Sequence, residues 1–427
     1  MTITINSRQY TDNSQESNEN ISFVYTNETE KFITNAKENG CANFIRSQDL
    51  KGLVDFSTIK IVGITGTNGK TTTAAAVYSF LLDLGFKVAL QGTRGFFIND
   101  ERIEAYSLTT PVQLSNFEHI IKAQENDCDF FIMEVSSHAI VQNRIEGLEF
   151  SLKILTNITR DHLDYHHTIE EYIAVKNSFF QDDTPKLINK DEKKAQYSVK
   201  NGFAYSLDEP STYKVQAYTF KDGMQVALQH FDETVNYSTE VTGLFNIYNL
   251  TAAIAATHIL TKKPLEQICE VVELFAGVSG RMETVSSQPF VVVDFAHTPD
   301  GMKEVLKSFP TKDIIVVFGA GGDRDKEKRS VMGRVAFHYA KKIIVTSDNP
   351  RFEDPDLIIN DILSGIPNLE NTQVEVNRKL AIQKAIEQAN DNSVVLVLGK
   401  GDEEYQIIYD KKFPLNDKEI INKILSK

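Results

Sequence analysis

Hydrophobic patterning divides the chain into stretches of different texture. Residues 1–57 are polar, with short apolar pieces such as Ile21–Tyr25 and a helical stretch near Glu30–Lys37. They read as a small α/β domain with a modest core, or as a partly disordered arm. Ile59–Ile64 (IKIVGI) is an apolar, β-branched run; a Gly/Thr/Asn loop and a helix-like Thr71–Leu84 follow, so strand, loop and helix are expected here. Lys87–Gln91, Asp129–Val135 and Ser151–Thr156 read as further buried strands with helical segments between them, which predicts a parallel α/β sheet. From Tyr213 to Val241 the text alternates (YKVQAYTF, MQVALQHF) and predicts antiparallel hairpins, with a helix at Asn249–Leu260.

A second α/β series begins near Phe290. Its predicted strands are Phe290–Asp294, Ile314–Phe318, Lys342–Thr346 and Val394–Leu398, with helices such as Gly301–Ser308 and Leu380–Ala389 between them. Each strand ends in a polar loop: DFAHTPDG, GAGGDRD, SDNPR and GKGDEE. Open α/β sheets bind ligands just beyond their C-terminal strand ends, so half of a site is expected in this series. There is no internal repeat and no low-complexity segment.

The 427 residues are enough for several domains with substantial cores. With 45 Lys+Arg against 59 Asp+Glu the net charge is -14, which argues against a general nucleic-acid binder or a polybasic membrane-surface protein. Cys41, Cys128 and Cys269 are far apart and odd in number, so neither a disulfide framework nor a CxxC metal motif is expected. The polar N-terminus shows no secretory h-region, and no apolar run approaches the roughly 18 residues a membrane span needs. A soluble, cytoplasmic protein is the expectation.

Gly66-Thr67-Asn68-Gly69-Lys70-Thr71-Thr72 follows a predicted strand and opens a predicted helix. Its glycines let backbone N–H groups approach phosphates. The helix N-terminus adds partial positive charge, Lys70 a full one, and Thr71 a hydroxyl for Mg²⁺. GxxxxGK[ST] would place a glycine at position 64, where this chain has Ile64. A plain Gly-rich turn is the bland alternative.

The variant TGTNGKTT resembles the Mur ligase superfamily, which includes the folylpolyglutamate synthases. EVSSHAIVQNR (134–144), TNITRDHLDYH (156–166), GLFNIYN (243–249), GRME (280–283), DFAHTPD (294–300), GGDRDKEKR (321–329), SDNPR (347–351) and GKGDEEYQ (399–406) follow in the order of one branch, the ligases that add the third peptide residue of peptidoglycan. The resemblance runs from residue 58 to about 410; before it, Ser7-Arg8 echoes the family's uridine-side signature. It implies an α/β fold of three domains: a small N-terminal α/β domain (1–57), a central P-loop-type parallel-sheet ATPase domain (58–279) and a C-terminal Rossmann-like domain (280–427).

The family reaction phosphorylates a substrate carboxylate with ATP and lets an amine displace the phosphate. The resemblance implies ATP and Mg²⁺ as cofactors. It gives ATP to Gly66–Thr72, to Asn246 and Asn249 on the adenine side, and to Arg281 and Asp294. It makes Lys70 catalytic, together with Thr71, Glu134, His162 and a carbamylated Lys176 around metal. Asp161 and Asp164 are weaker candidates, because acidic loop residues are usually only solvated. Asn246 and Asn249, just ahead of a predicted helix, also read as N-caps, and Lys176 also reads as a surface lysine. Ser7, Thr109, Thr110, Ser136, Gln142 and Arg144 are implied on the UDP-N-acetylmuramoyl-dipeptide substrate. Asp348-Asn349-Pro350-Arg351 matches the DNPR of enzymes that add meso-diaminopimelate. There Arg351 would bind the far carboxylate bidentately, with Asn349, Gly399 and Glu403 beside it and Arg324 near the reacting amine. Phe245, Phe295 and Asp402 stand where the family usually has His, Tyr and His. The expected enzyme is a monomer. Open alternatives are another acceptor (L-lysine or a folate-type polyglutamate) and a P-loop nucleotide switch without ligation.

Overall fold

Ile61–Thr65 is buried at every residue, as a strand covered on both faces requires. Within this run the period of two still operates. Val62 and Ile64 face one core, with Ala74, Val77 and Phe80; Ile61 faces another, with Phe131 and Phe180. In the computed structural model, which describes residues 1–26, 28–105, 108–221 and 223–426, Lys60–Thr65 lies inside an eleven-stranded sheet.

Seven strands of that sheet are parallel neighbours, in the order Tyr213–Thr219, Gly202–Ser206, Lys186–Asn189, Phe150–Leu155, Lys60–Thr65, Phe130–Glu134, Val88–Gly92. Antiparallel pairs extend both edges: Met224–His230 and Glu233–Thr239 beyond Tyr213–Thr219, Gly95–Ile98 and Glu101–Ala105 beyond Val88–Gly92. The hairpins expected from alternation between residues 213 and 241 are therefore present, and they continue the phosphate-loop sheet rather than form one of their own. Helices Lys70–Asp83 and Leu244–Thr261 cover one face, and Ile169–Ser178 lies on the other.

The helix expected at Asn249–Leu260 begins earlier, at Leu244, with Gly243 as its N-cap. The reading of Asn246 and Asn249 as N-caps is thereby corrected. Both lie inside the helix, where Asn246 Nδ2 donates to the Thr242 carbonyl (2.7 Å) and Asn249 Nδ2 to Asn246 Oδ1 (2.9 Å).

The N-terminal segment is a four-stranded sheet, Thr2–Ile5, Arg8–Thr11, Ile21–Tyr25 and Phe44–Arg46 in that order. Ile3, Ile5, Tyr10 and Val24 pack with Leu50 and onto Leu114 and Phe117 of helix Gln113–Glu125. Its modest core is completed by a helix of the central region, so it is not a free arm. The C-terminal sheet has the order Glu283–Ser287, Phe290–Asp294, Ser393–Leu398, Asp313–Phe318, Lys342–Val345, Thr372–Val374, parallel except for the first pair. Helices Pro299–Lys307, Glu327–Tyr339 and Pro355–Leu363 cover one face; Arg378–Glu387 and Asp417–Leu425 cover the other. That is the doubly wound arrangement expected from sequence. Among the described residues no helix is long and apolar enough to cross a membrane.

Candidate active site

The C-terminal strand ends of both large sheets open onto one cavity of about 660 Å³. From the central sheet come Thr67–Thr72, Thr93, Thr109, Glu134, Asn157 and His162; from the C-terminal sheet come Arg281, Asp294, Arg324, Asp348, Asn349, Arg351, Gly399 and Glu403.

The loop after Lys60–Thr65 is shaped by backbone that only glycine tolerates. Gly66 has φ 153°, and a Cβ there would lie 1.8 Å from Thr156 Oγ1. Gly69 has φ 85° and would meet Asn249 Oδ1 at 2.3 Å. Thr156 and Asn157 hold the loop from the neighbouring strand. Thr156 Oγ1 and Asn157 Nδ2 donate to the Asn68 carbonyl (2.7 and 3.0 Å), and Asn68 N donates to Asn157 Oδ1 (2.9 Å). Lys70 Nζ folds back on the carbonyls of Gly66 and Thr67, both at 2.9 Å. Burial lowers its pKa, while Glu134 and Asp161 pull the other way. Thr72 is buried in the first turn of the helix.

Glu134 ends its strand 2% exposed, yet no cation pairs with it among the described residues. Its carboxylate accepts from Thr71 Oγ1 (2.9 Å), Thr93 N (2.9 Å) and Thr93 Oγ1 (3.4 Å). Two hard oxygens, Glu134 and Thr71, thus sit together at a helix N-terminus, a donor set that suits Mg²⁺ completed by phosphate and water. Among the described residues no group of three or more His, Cys, Asp or Glu is placed to hold a metal unaided.

His162 adopts φ 55°, with Nε2 at 3.4 Å from Asp161 Oδ2. Burial pushes its pKa down, against the pull of Asp161. Lys176 is 1% exposed, and Nζ donates to the Gly66 carbonyl (3.0 Å) and Thr65 Oγ1 (3.3 Å). Burial, then the nearby Lys70 charge, hold that amine well below the ordinary lysine pKa. Its surface reading is corrected: it faces inward, with the Tyr172 ring 4.9 Å away.

In the loop ahead of helix Gln113–Glu125, Thr110 Oγ1 donates to the Glu134 carbonyl and accepts from Ser136 N, both at 2.9 Å. Ser136 caps helix Ser137–Val141, accepting from Ala139 N at 3.2 Å. Arg144 grips Gln142 Oε1 through Nε and Nη2 (2.9 and 2.6 Å), and its Nη1 donates to the Thr110 carbonyl (2.7 Å). Thr109, Thr110, Ser136, Gln142 and Arg144 therefore form one continuous shelf beside Glu134. Ser7 is elsewhere. It lies in a positive-φ turn on a second groove of about 1100 Å³, with Asn6, Leu53 and Gln124.

Across the cavity, Asp294 is buried and accepts from Met282 N and Ala296 N, both at 2.7 Å. Burial raises its pKa, with Arg281 opposing. The Arg281 guanidinium lies 4.0 Å over the Phe295 ring, so Phe295 offers a π-face where a tyrosine would add a hydroxyl. Asn349 Nδ2 donates to Glu403 Oε2 (3.0 Å), and the fully buried Lys400 bridges Glu403 Oε2 (2.7 Å) and Asn349 Oδ1 (3.1 Å). Gly399 has φ 112°, and a Cβ there would meet Asp348 Oδ2 at 2.6 Å. Pro350 is buried between Asn349 and Arg351. Arg351 also has positive φ (51°), and its Nη1 is held by the Gly322 carbonyl at 2.8 Å. It makes no ion pair among the described residues and shares the cavity with exposed Arg324. Neither guanidinium is ion-paired among the described residues, and Asp348 and Glu403 line the same space.

Two family models match this chain: the Mur ligase middle domain over residues 64–257, and the Mur ligase glutamate ligase domain over 280–401. The chain belongs to the Mur ligase family. It is 52% identical over 410 residues to the UDP-N-acetylmuramoyl-L-alanyl-D-glutamate--2,6-diaminopimelate ligase of Wolinella succinogenes, covering 96% of this chain and 94% of that one. It is 50% identical over 409 residues to the ligase of the same name from Helicobacter hepaticus, covering 93% and 88%. A solved structure of a ligase with that name is similar at TM-score 0.69 and 27% identity, over 98% of this chain and 94% of the other.

Against the usual family text, Phe245 has a use of its own: from the start of the Leu244–Thr261 helix it packs onto the C-terminal core. Asp402, at the other departure, lies 3.6 Å from Arg94 Nε of the central region. Sequence reasoning left several cavity residues without a role: Thr93, Thr156, Asn157, His297 and Lys328. Burial, then Lys328, lower the His297 pKa to about 4. All but Thr93 stand inside motifs already quoted, so the available signal was position within those motifs; Lys400 stands in another.

Proposed function

We propose that this Mur ligase joins meso-diaminopimelate to UDP-N-acetylmuramoyl-L-alanyl-D-glutamate, using ATP to activate the glutamate carboxylate as an acyl phosphate, in peptidoglycan synthesis. The observation that carries the reading is the shared cavity: a phosphate loop with Lys70 on one wall, and on the other Arg324 and Arg351, neither ion-paired among the described residues.

Phosphoryl transfer between two anions needs position and neutralised charge more than a protein nucleophile. Gly66–Thr72 and Lys70 cradle the ATP phosphates. Asn246 and Asn249 border the adenine side, and Arg281 and Asp294 reach the nucleotide from the opposite domain. Thr71, Glu134, His162 and a carbamate on Lys176 would hold Mg²⁺, which would supply positive charge against the phosphates. The carbamate is supported by an amine that is buried, lacks a carboxylate partner among the described residues, and has a strongly lowered pKa, because only an uncharged amine adds to CO₂. Thr109, Thr110, Ser136, Gln142 and Arg144 bind the UDP-substrate from the pyrophosphate to the peptide, with Ser7 toward the uridine. Arg324 takes the carboxylate beside the attacking amine. Asp348, Asn349, Pro350, Arg351, Gly399 and Glu403 bind the far end, Arg351 its carboxylate. The amine then attacks the acyl carbon and phosphate leaves. Walls from two domains exclude water from the acyl phosphate.

The same reading divides the chain at 1–57, 58–279 and 280–427. It places the enzyme in the cytoplasm with its nucleotide substrates, and as a monomer, because one chain supplies the whole cavity. The test is amide formation coupled to ADP release, comparing meso-diaminopimelate with L-lysine and omitting each substrate in turn. ADP release that depends on both UDP-MurNAc-dipeptide and diaminopimelate is expected. Preference for lysine, or hydrolysis without amide product, sinks the reading. Arg351→Ala should raise KM for diaminopimelate by about 10- to 100-fold and leave KM for ATP unchanged.

A further inference from the structure

Behind the Thr109–Arg144 shelf runs a buried polar chain that the chemistry above does not use. Asn116 and Gln91 are fully buried, and His119, one turn along helix Gln113–Glu125 from Asn116, is 2% exposed. Apolar surroundings tolerate such groups only when they are hydrogen-bonded, and each of these is. Asn116 Nδ2 donates to two carbonyls, Arg144 at 2.7 Å and Pro111 at 3.2 Å. Asn116 Oδ1 accepts from Gln91 Nε2 at 2.8 Å. Gln91 Oε1 lies 2.6 Å from His119 Nδ1, and His119 Nε2 lies 3.2 Å from Glu104 Oε1 at the surface. The Phe96 ring stacks on the imidazole, centroids 4.1 Å apart and planes 5° apart.

The chain has one consistent direction. Carbonyls only accept, so the Asn116 amide nitrogen must face Arg144 and Pro111. That turns its oxygen to Gln91, which leaves the Gln91 oxygen facing a proton on His119 Nδ1. The two carbonyls belong to different loops, 109–111 before helix Gln113–Glu125 and 142–144 after helix Ser137–Val141. A single amide therefore fixes the spacing between them, and the Arg144 guanidinium closes the same ring on the Thr110 carbonyl (2.7 Å).

We propose that Asn116, oriented by Gln91 and His119, is a positioning residue that sets Arg144 and the 109–111 loop for the anionic acyl substrate. The inference rests on the assignment of those loops to the UDP-substrate made above. Asn116 itself touches no substrate and acts through Arg144. Asn116→Leu keeps the branched shape and removes the donors; Gln91→Met cuts the chain one step further out.

In the full-length enzyme, each variant is expected to raise KM for UDP-MurNAc-L-Ala-D-Glu about tenfold, the effect of one lost buried hydrogen bond. KM for ATP and diaminopimelate, and kcat, should stay within about threefold. Adding Asn116→Leu to Arg144→Ala should raise the acyl-substrate KM no further, as expected of residues acting on one path. Losses shared equally by all three substrates, or full additivity with Arg144→Ala, overturn the positioning role and leave the proposed function intact. An Arg144→Ala enzyme with unchanged acyl-substrate KM overturns the assignment of Arg144 itself, and the relay with it. Where Asn116→Leu loses its cooperative melt, Gln91→Met carries the same comparison.

Discussion

Lys176 shows how much of a residue's chemistry is set by its surroundings. A lysine in a polar helical text reads as solvated, yet this one is almost fully buried beside the phosphate loop. Its lowered pKa has a direct consequence for stability. Below the ordinary lysine value of 10.5 the unfolded chain binds a proton at this site that the folded chain does not. Stability therefore falls as pH drops from about 10.5 toward the lowered value. In bicarbonate-free buffer, Lys176→Met should raise Tm at neutral pH and flatten its rise with pH; a melt series across that range measures both. The same substitution should lower kcat/KM by about 10- to 100-fold, the scale seen when a metal site loses a supporting group. Wild-type protein in ¹³C-bicarbonate should show a carbamate carbon resonance that Lys176→Met lacks. Retained activity in the variant would remove Lys176 from the site. The glycines and Arg351 are other cases where residue type was readable beforehand but its necessity was not. Gly69 is required because the Asn249 side chain stands 2.3 Å from where a Cβ would be, and Asn249 comes from a helix 180 residues away.

At the scale of elements, the loops that carry the site are held from beneath by buried polar groups. The C-terminal helix Asp417–Leu425 is tied to the Gly399 loop by Arg378, which is bidentate to Asp417 (2.8 and 2.7 Å) and donates to the Leu398 carbonyl (2.9 Å). Both side chains of this ion pair are 0% exposed. Removing one partner strands a buried charge, which costs about 3–5 kcal/mol, whereas replacing both by apolar groups is often nearly neutral. Asp417→Ala should lower the urea midpoint accordingly, and Arg378→Met with Asp417→Leu should recover most of it. A single variant as stable as the wild type would show that the pair is not buried in solution. Elements of strong pattern, such as the strands at 60–65 and 290–294, were legible in advance. Lys186–Asn189 and Gly202–Ser206 were not, because they are short and set in polar text, and only pairing within the parallel sheet makes them strands.

For the whole molecule, the question is what holds two α/β domains face to face across an acidic chain. Ion pairs cross the cleft: Arg160 to Glu327 (2.6 Å) and Asp325 (3.7 Å), and Arg94 to Asp402 (3.6 Å). They are partly exposed, so each contributes about 0–1 kcal/mol and weakens with salt. Such weak pairs bias closure without locking it, which suits an enzyme that must open to release product. The double variant Arg94→Ala, Arg160→Ala should enlarge the radius of gyration of the ligand-free protein in solution scattering, as should added salt for the wild type. KM for ATP should rise by no more than about tenfold, the equivalent of 1.4 kcal/mol. Scattering that responds to neither change would mean that these pairs do not govern the domain arrangement.

The sequence by itself determined the identities: apolar runs long enough to be strands, a phosphate loop, and motifs whose residue types already dictate cations for phosphates and carboxylates. Those are local properties, carried by spacing and side-chain chemistry. The tertiary structure alone decided which groups meet. The Tyr213–Thr239 hairpins extend the nucleotide sheet, Asn246 and Asn249 lie within a helix rather than cap it, and Lys176 points inward. Thr156 and Asn157 hold a loop nearly 90 residues away, and Asn116 joins the 109–111 and 142–144 loops. Such contacts depend on packing between segments distant in the chain, and no window of sequence contains both partners.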